Sequence, residues 1–131
     1  MVAHGTIAFD TLTTSDQVNT GTEKSIDTSY LFNGSLKSWL NMNGTSTIAI
    51  NDSFNIASVT DNGTGSYAAT LSNAMSNSLY ATGGKHNANS SFDANGRVLP
   101  SSTTSIVMYA QANGASVDAS IVTALVSGDL A

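Results

Sequence analysis

Cysteine is absent from this chain, proline and glutamate each occur once, and only four of the 131 residues are cationic. Without cysteine there is neither a disulfide framework nor a thiolate metal site. Four cations against nine acids leave a net charge of −5. That balance excludes an electrostatic nucleic-acid binder and disfavours attraction to anionic membranes. No apolar run approaches bilayer-spanning length, so membrane insertion is not expected. Met1-Val2-Ala3-His4 opens no signal peptide, because a basic start and an apolar stretch are both missing. The expectation is a protein that works inside the cell or leaves it by a route other than signal-directed secretion. Charged residues make up only 10% of the chain, too few to build the Glu/Lys/Arg surface of ordinary helices.

What is present instead is 20 Ser, 16 Thr and 13 Asn, side chains that compete with helix backbone bonding. Five of the eleven glycines follow an asparagine: Asn33-Gly34, Asn43-Gly44, Asn62-Gly63, Asn95-Gly96 and Asn113-Gly114. Both residues tolerate positive φ, so the dipeptide marks tight hairpin turns. The fold class expected is all-β, with antiparallel strands reversing at these turns. A two-residue turn at Asn62-Gly63 places Phe54, Ile56 and Ser58 opposite Leu71, Ala69 and Tyr67. A similar turn at Asn43-Gly44 sets Trp39 across from Ile48 and Lys37 across from Ile50. Ile48, Ile50, Phe54 and Ile56 share parity, as in one long strand bending near Asn51-Asp52-Ser53.

Residues 1–28 read as an extended attachment arm with one or two short strands, and 29–131 as the antiparallel domain. Ile106 to Ala110 and Ile121 to Val126 are nearly continuous apolar runs, the mark of strands covered on both faces. Length alone also leaves a short helix open for 118–127. Leu, Ile, Val and Phe number only 28, a core so thin that apolar surface buried between subunits is expected to complete it. Trp39, Phe54, Ile56, Tyr67, Leu71, Ile121 and Leu125 are the candidate core and oligomer contacts. Between the two runs, Gly83 to Ser105 reads as a long polar loop of the kind that tends to carry function. Its Lys85, His86, Asn87, Asn89, Phe92, Asp93 and Arg97 are the candidate receptor-binding residues.

Catalytic and metal chemistry find little support. His4 and His86 would have to converge with Asp93 or Asp52 to hold a metal, which the ligand count makes improbable. Any Ser–His–Asp set built on His86 is uninformative among twenty serines, and no Gly-x-Ser-x-Gly elbow exists. Acids beside Asn or Gly are turn formers before they are glycosidase carboxylates. Asp61 to Gly65 lacks the further carboxylates of a calcium loop, and Gly83-Gly84-Lys85 lacks the spacing of a phosphate loop. The Asn-x-Ser/Thr sequons at Asn33, Asn43, Asn51, Asn62 and Asn89 are accidents of composition. No catalytic residue, metal or cofactor is expected.

Two segments carry a resemblance. Lys37-Ser38-Trp39-Leu40-Asn41-Met42-Asn43-Gly44-Thr45 precedes Asp52-Ser53-Phe54-Asn55-Ile56-Ala57-Ser58-Val59-Thr60-Asp61-Asn62-Gly63-Thr64-Gly65-Ser66-Tyr67. Together they resemble a β-rich domain of tail-fibre and other virion proteins of tailed bacteriophages, marine ones especially. There the pattern reads K-x-W-x-x-F-N-G-T, then R-D-S-F-N-V-S-S-I-T-D-N-G-T-G-x-Y. Ala74-Met75 and Tyr80-Ala81 fit its next part, so the likeness spans 36–81. Met42 replaces the usual aromatic, Asn51 an arginine and Ser76 a proline, which removes any salt bridge of that arginine but not the hairpin. The resemblance implies a β-sandwich or jelly-roll-like domain assembling as a homotrimer in a virion. It implies no catalytic residues, and partners that are other virion proteins and a host-surface glycan or protein. A capsid decoration protein is the alternative, and a carbohydrate-active depolymerase a distant one.

Overall fold

The structure, a computed structural model, describes residues 11–14, 24–87 and 94–131. The chain divides into two compact units, Met1–Ser35 and Leu36–Ala131. In the first, β1 (Thr11–Thr14) pairs antiparallel with β2 (Lys24–Asp27), Leu12 opposite Ile26. A short helix, α1 (Thr28–Gly34), follows directly. Its cap is Asp27, whose carboxylate accepts the Ser29 N–H at 2.7 Å. The Ser29 hydroxyl and N–H together hold that carboxyl below its ordinary pKa. Asn33-Gly34 therefore closes a helix and is not a hairpin turn: a capping aspartate upstream outweighs the turn preference of the dipeptide.

The second unit is all-β, with two antiparallel five-stranded sheets among the described residues. One sheet runs β4 (Ala49–Phe54), β3 (Leu36–Asn43), β12 (Ile121–Ser127), with β7 (Ala81–Gly83) and β8 (His86–Asn87) both on the far side of β12. The other centres on β10 (Ser105–Ala112), flanked by β9 (Ala94–Ser102) and β6 (Ser66–Leu71). β5 (Ile56–Asp61) lies outside β6, and β11 (Ala115–Ser116) returns along the end of β10. Residues 118–127 contain the strand β12 and no helix. No helix among the described residues is long and apolar enough to cross a membrane.

One contiguous core draws on both sheets: Leu40, Met42, Val122, Ala124 and Val126 from the first, Tyr67, Ala69, Leu71, Ile106 and Met108 from the second. Alternation sorts each strand. In β12, Val122, Ala124 and Val126 are buried while Ile121 and Leu125 face outward. Among the described residues the β12 run is thus covered on one face, whereas in β10 the outward Val107 and Tyr109 are half-buried. Tyr67 and Leu71 join the core, Ile56 packs against it half-buried, and Trp39 is half-buried; Phe54, Ile121 and Leu125 are exposed.

Two registers differ from those the turns suggest. Around Asn62-Gly63 the pairs are Asp61 with Tyr67, Val59 with Ala69 and Ile56 with Leu71. The loop is odd: Asn62 N–H donates to the Ser66 carbonyl at 2.9 Å and Ser66 N–H to the Gly63 carbonyl at 2.8 Å. Gly65 takes φ +65° there, with Gly63 at +115°. A bulge between Ile56 and Ser58 absorbs the parity change. Val59 and Ile56 have opposite parity, so only a bulged strand can turn both toward the core.

At Asn43-Gly44 the loop spans five residues, with Asn43 opposite Ala49 and Trp39 opposite Phe54. The Asn43 amide organises it, donating to the Thr45 and Thr47 carbonyls at 3.0 and 3.3 Å. Its carbonyl accepts the Thr45 hydroxyl at 2.8 Å. The long apolar run carries a bulge at Asn51 and then turns a corner at Asn55, which adopts φ +58° between β4 and β5. There its side chain donates to the Lys37 carbonyl at 3.0 Å and accepts the Asn73 N–H at 2.7 Å, pinning the corner where the chain changes sheets. Asn113-Gly114 is the two-residue reversal, with Ala112 opposite Ala115 and φ of +51° and +77°.

Candidate recognition surface

The stretch 83–105 is not a long loop. β7 and β8 pair with β12 in one continuous register, Leu125 opposite Gly83 and Ile121 opposite Asn87. Nine further residues form β9, where Pro100 sits on an edge strand that needs no donor from it. Cross-strand bonding to β10 and β12 overrides the weak apolar pattern. Of the candidates, Asn89, Phe92 and Asp93 lie outside the described residues.

Lys85, His86 and Arg97 come together, lining one shallow hollow with Gly84, Gly96, Val98, Tyr109 and Thr123. Asn87, next along β8, is exposed beside them. Thr123 stitches the break between β7 and β8. Its N–H and hydroxyl both donate to the Lys85 carbonyl, at 2.7 and 2.9 Å, and the hydroxyl accepts the Lys85 N–H at 3.1 Å. A Cβ at Gly84 would run into the Thr123 carbonyl oxygen and lie 2.7 Å from a Val98 methyl. Glycine is needed there for close approach, not for a turn.

The His86 Nε2 accepts the Gln111 N–H of β10 at 3.2 Å, so the neutral ring carries its hydrogen on Nδ1. That Nδ1 is buried and unpartnered. The imidazole is thus a tie between strands of the two sheets, and its second nitrogen is left unpaired by the packing. The Arg97 guanidinium lies 5.1 Å from the centre of the Tyr109 ring, its cross-strand neighbour, a cation–π contact. The hollow admits no water-sized sphere. What this end offers a partner is the exposed Lys85, Asn87 and Arg97, not a cavity.

The carboxylates are used differently from a glycosidase pair. Asp52, Asp61 and Asp118 accept the N–H groups of Ser53, Gly63 and Gly65 at 2.9, 2.8 and 2.8 Å. Asp118 also receives the fully buried Tyr67, whose hydroxyl lies 2.8 Å from the Gly44 carbonyl and 3.2 Å from Asp118 Oδ1. Burial pushes the Tyr67 phenol up to about 12, and the Asp118 and Asp61 charges push the same way. Among the described residues no group of three His, Cys, Asp or Glu could hold a metal ion. Sequence reasoning missed this network; Asp118 stands far from Tyr67 in the chain, and nothing local signals that they meet.

Within the second unit, the outer face of the β3 sheet carries a group of exposed apolar side chains. Phe54, Trp39, Leu125 and Gly83 form one cross-strand row. Phe54 is 54% exposed, Leu36 46%, Leu125 45% and Ile121 41%. The five-residue Asn43 loop alone would set Trp39 opposite Ser53; the bulge at Asn51 shifts the register and brings Phe54 opposite Trp39. Comparison with protein-family models, with curated proteins and with solved structures finds no match. The likeness to phage virion proteins rests on the motif residues alone.

Proposed function

We propose that this chain is a non-enzymatic structural protein of a bacteriophage particle, part of a tail-fibre or receptor-binding assembly. In this reading its two sheets are the layers of a jelly-roll-like β-sandwich. It works as a homo-oligomer, a trimer if it follows the phage pattern, and the arm 1–28 attaches it to other virion proteins. The observation that carries the reading is the outer face of the β3 sheet: a lean all-β unit that leaves Phe54, Leu125 and Leu36 exposed is built to be completed by another surface. The Asp52–Tyr67 motif ties that architecture to virion proteins. The commitment of Asp52, Asp61 and Asp118 to backbone N–H groups favours a scaffold over a depolymerase. Arg97, with Lys85 and Asn87 at the neighbouring rim of the β3 sheet, is the group proposed to meet a host glycan or protein.

Immunogold labelling of purified particles encoding the chain tests this. Label on the tail is the expected result, and label over the shell would assign the capsid-decoration role instead. Particles without label would overturn the reading.

A further inference from the structure

We infer that the outer face of the β3 sheet packs on the same face of a second copy, about a two-fold axis running along the strands between β3 and β12. The inference rests on the homo-oligomer in the proposed function and on no other part of that reading.

Size and charge select this geometry together. The row Phe54–Trp39–Leu125–Gly83 is bulky at the β4 edge and empty at the β7 edge. The next row places Asp52 opposite Asn41 and Asn41 opposite Thr123, whose main and side chains bond Lys85 at the other edge. A two-fold along the strands lays the first copy's Phe54 over the second copy's Gly83 and Trp39 over Leu125. It also lays Asp52 over Lys85 twice, once at each rim. An axis across the strands would instead stack the bulky edges on each other, with acid near acid.

Area agrees with a stable pair. The exposed parts of Phe54, Leu36, Leu125, Ile121 and Trp39 amount to on the order of 400 Å² of apolar surface. With the polar positions between them, such a face approaches the roughly 800 Å² per partner of standard interfaces, somewhat over half of it apolar. Three of the sheet edges discourage a rival route, and the remaining edge strands, β7, β8 and β11, are only two or three residues long. β4 and β5 carry bulges and β9 carries Pro100, devices that discourage strand addition. The two rows hold one acid and one base, so the face repels neither itself nor its copy. A polyanionic partner has nothing to hold there.

Sedimentation of the full 131-residue chain across concentration tests the geometry. The expected result is a reversible monomer–dimer equilibrium. Asp52→Lys and Lys85→Asp should each weaken it about tenfold, and the double swap should return it to within about threefold of the parent. Leu125→Asp should abolish it, with a far-UV spectrum unchanged. A parent that stays monomeric, a parent that sediments as a trimer, or a double swap no better than its singles would overturn the inference. Particle labelling reads separately: a dimer with unlabelled particles sinks the virion reading alone, and a labelled monomer sinks this contact alone.

Discussion

Asn43-Gly44 and Asn113-Gly114 are the same dipeptide between strands, yet glycine is needed at each for a different reason. Gly114 takes φ +77° with open space around its Cα, so the requirement is local and lies in the backbone. Gly44 has no such φ; a Cβ there would lie 2.6 Å from the Tyr67 ring and hydroxyl. Its N–H donates to the Ala119 carbonyl at 2.9 Å and its carbonyl accepts from Tyr67. The Asn113-Gly114 loop closes because two residues tolerate positive φ. The Asn43-Gly44 loop closes because three distant segments need the room that glycine leaves.

Substitution can break that contrast. Gly44→Ala should cost most, more than about 3 kcal/mol, since the clash falls on a fully buried ring with no room to retreat. Chemical denaturation would measure it, and a loss below about 1 kcal/mol would show the loop free to move away. Tyr67→Phe should cost about 2 kcal/mol by stranding the Gly44 carbonyl and the Ala119 N–H.

The same phenol sharpens the contrast through pH. Its pKa in the folded protein, about 12, lies above the ordinary 10.0, so the native state keeps the proton longer than the unfolded one. The stability from this group is complete below about pH 10 and is lost as pH rises toward 12. Melting temperature followed from pH 9 to 12 should fall less steeply in Tyr67→Phe than in the parent. Identical slopes would mean the phenol ionises without unfolding cost.

The purely local turns should respond more mildly. Gly63→Val forces a β-branched residue to φ +115° and should cost more than about 1 kcal/mol, although nothing lies within contact of its new Cβ. Unchanged thermal stability would refute strain at that residue. Gly114→Ala should cost least, about 1 kcal/mol. A larger effect than Gly44→Ala would invert the comparison.

Much of the fold was legible. Scarce charge, abundant Ser, Thr and Asn, and paired apolar runs pointed to antiparallel sheet, and both runs are strands. The inward set Val122, Ala124 and Val126 could be read from alternation, but which face of β12 would be covered could not. The pairing registers were the weak point. Parity arguments assume unbroken strands, whereas Ala57 and Asn51 fall at bulges and Asn55 turns a corner. Each of these is set by what lies across the sheet. The candidate surface was legible in part: Lys85, His86 and Arg97 line one hollow, His86 and Arg97 from strands and Lys85 from the short link between β7 and β8.

Composition and turn chemistry settled the class of this protein, because hydrogen-bonding polar side chains and positive-φ dipeptides act within a few residues of themselves. Where each strand met its neighbour was a matter for the packed whole. Tyr67 needs Gly44, Gly65 and Asp118 together, and no span of sequence short enough to inspect contains all four. Burial is a property of the assembled core, so the choice between Asn-Gly as a reversal and Asn-Gly as a seat for a tyrosine was made there.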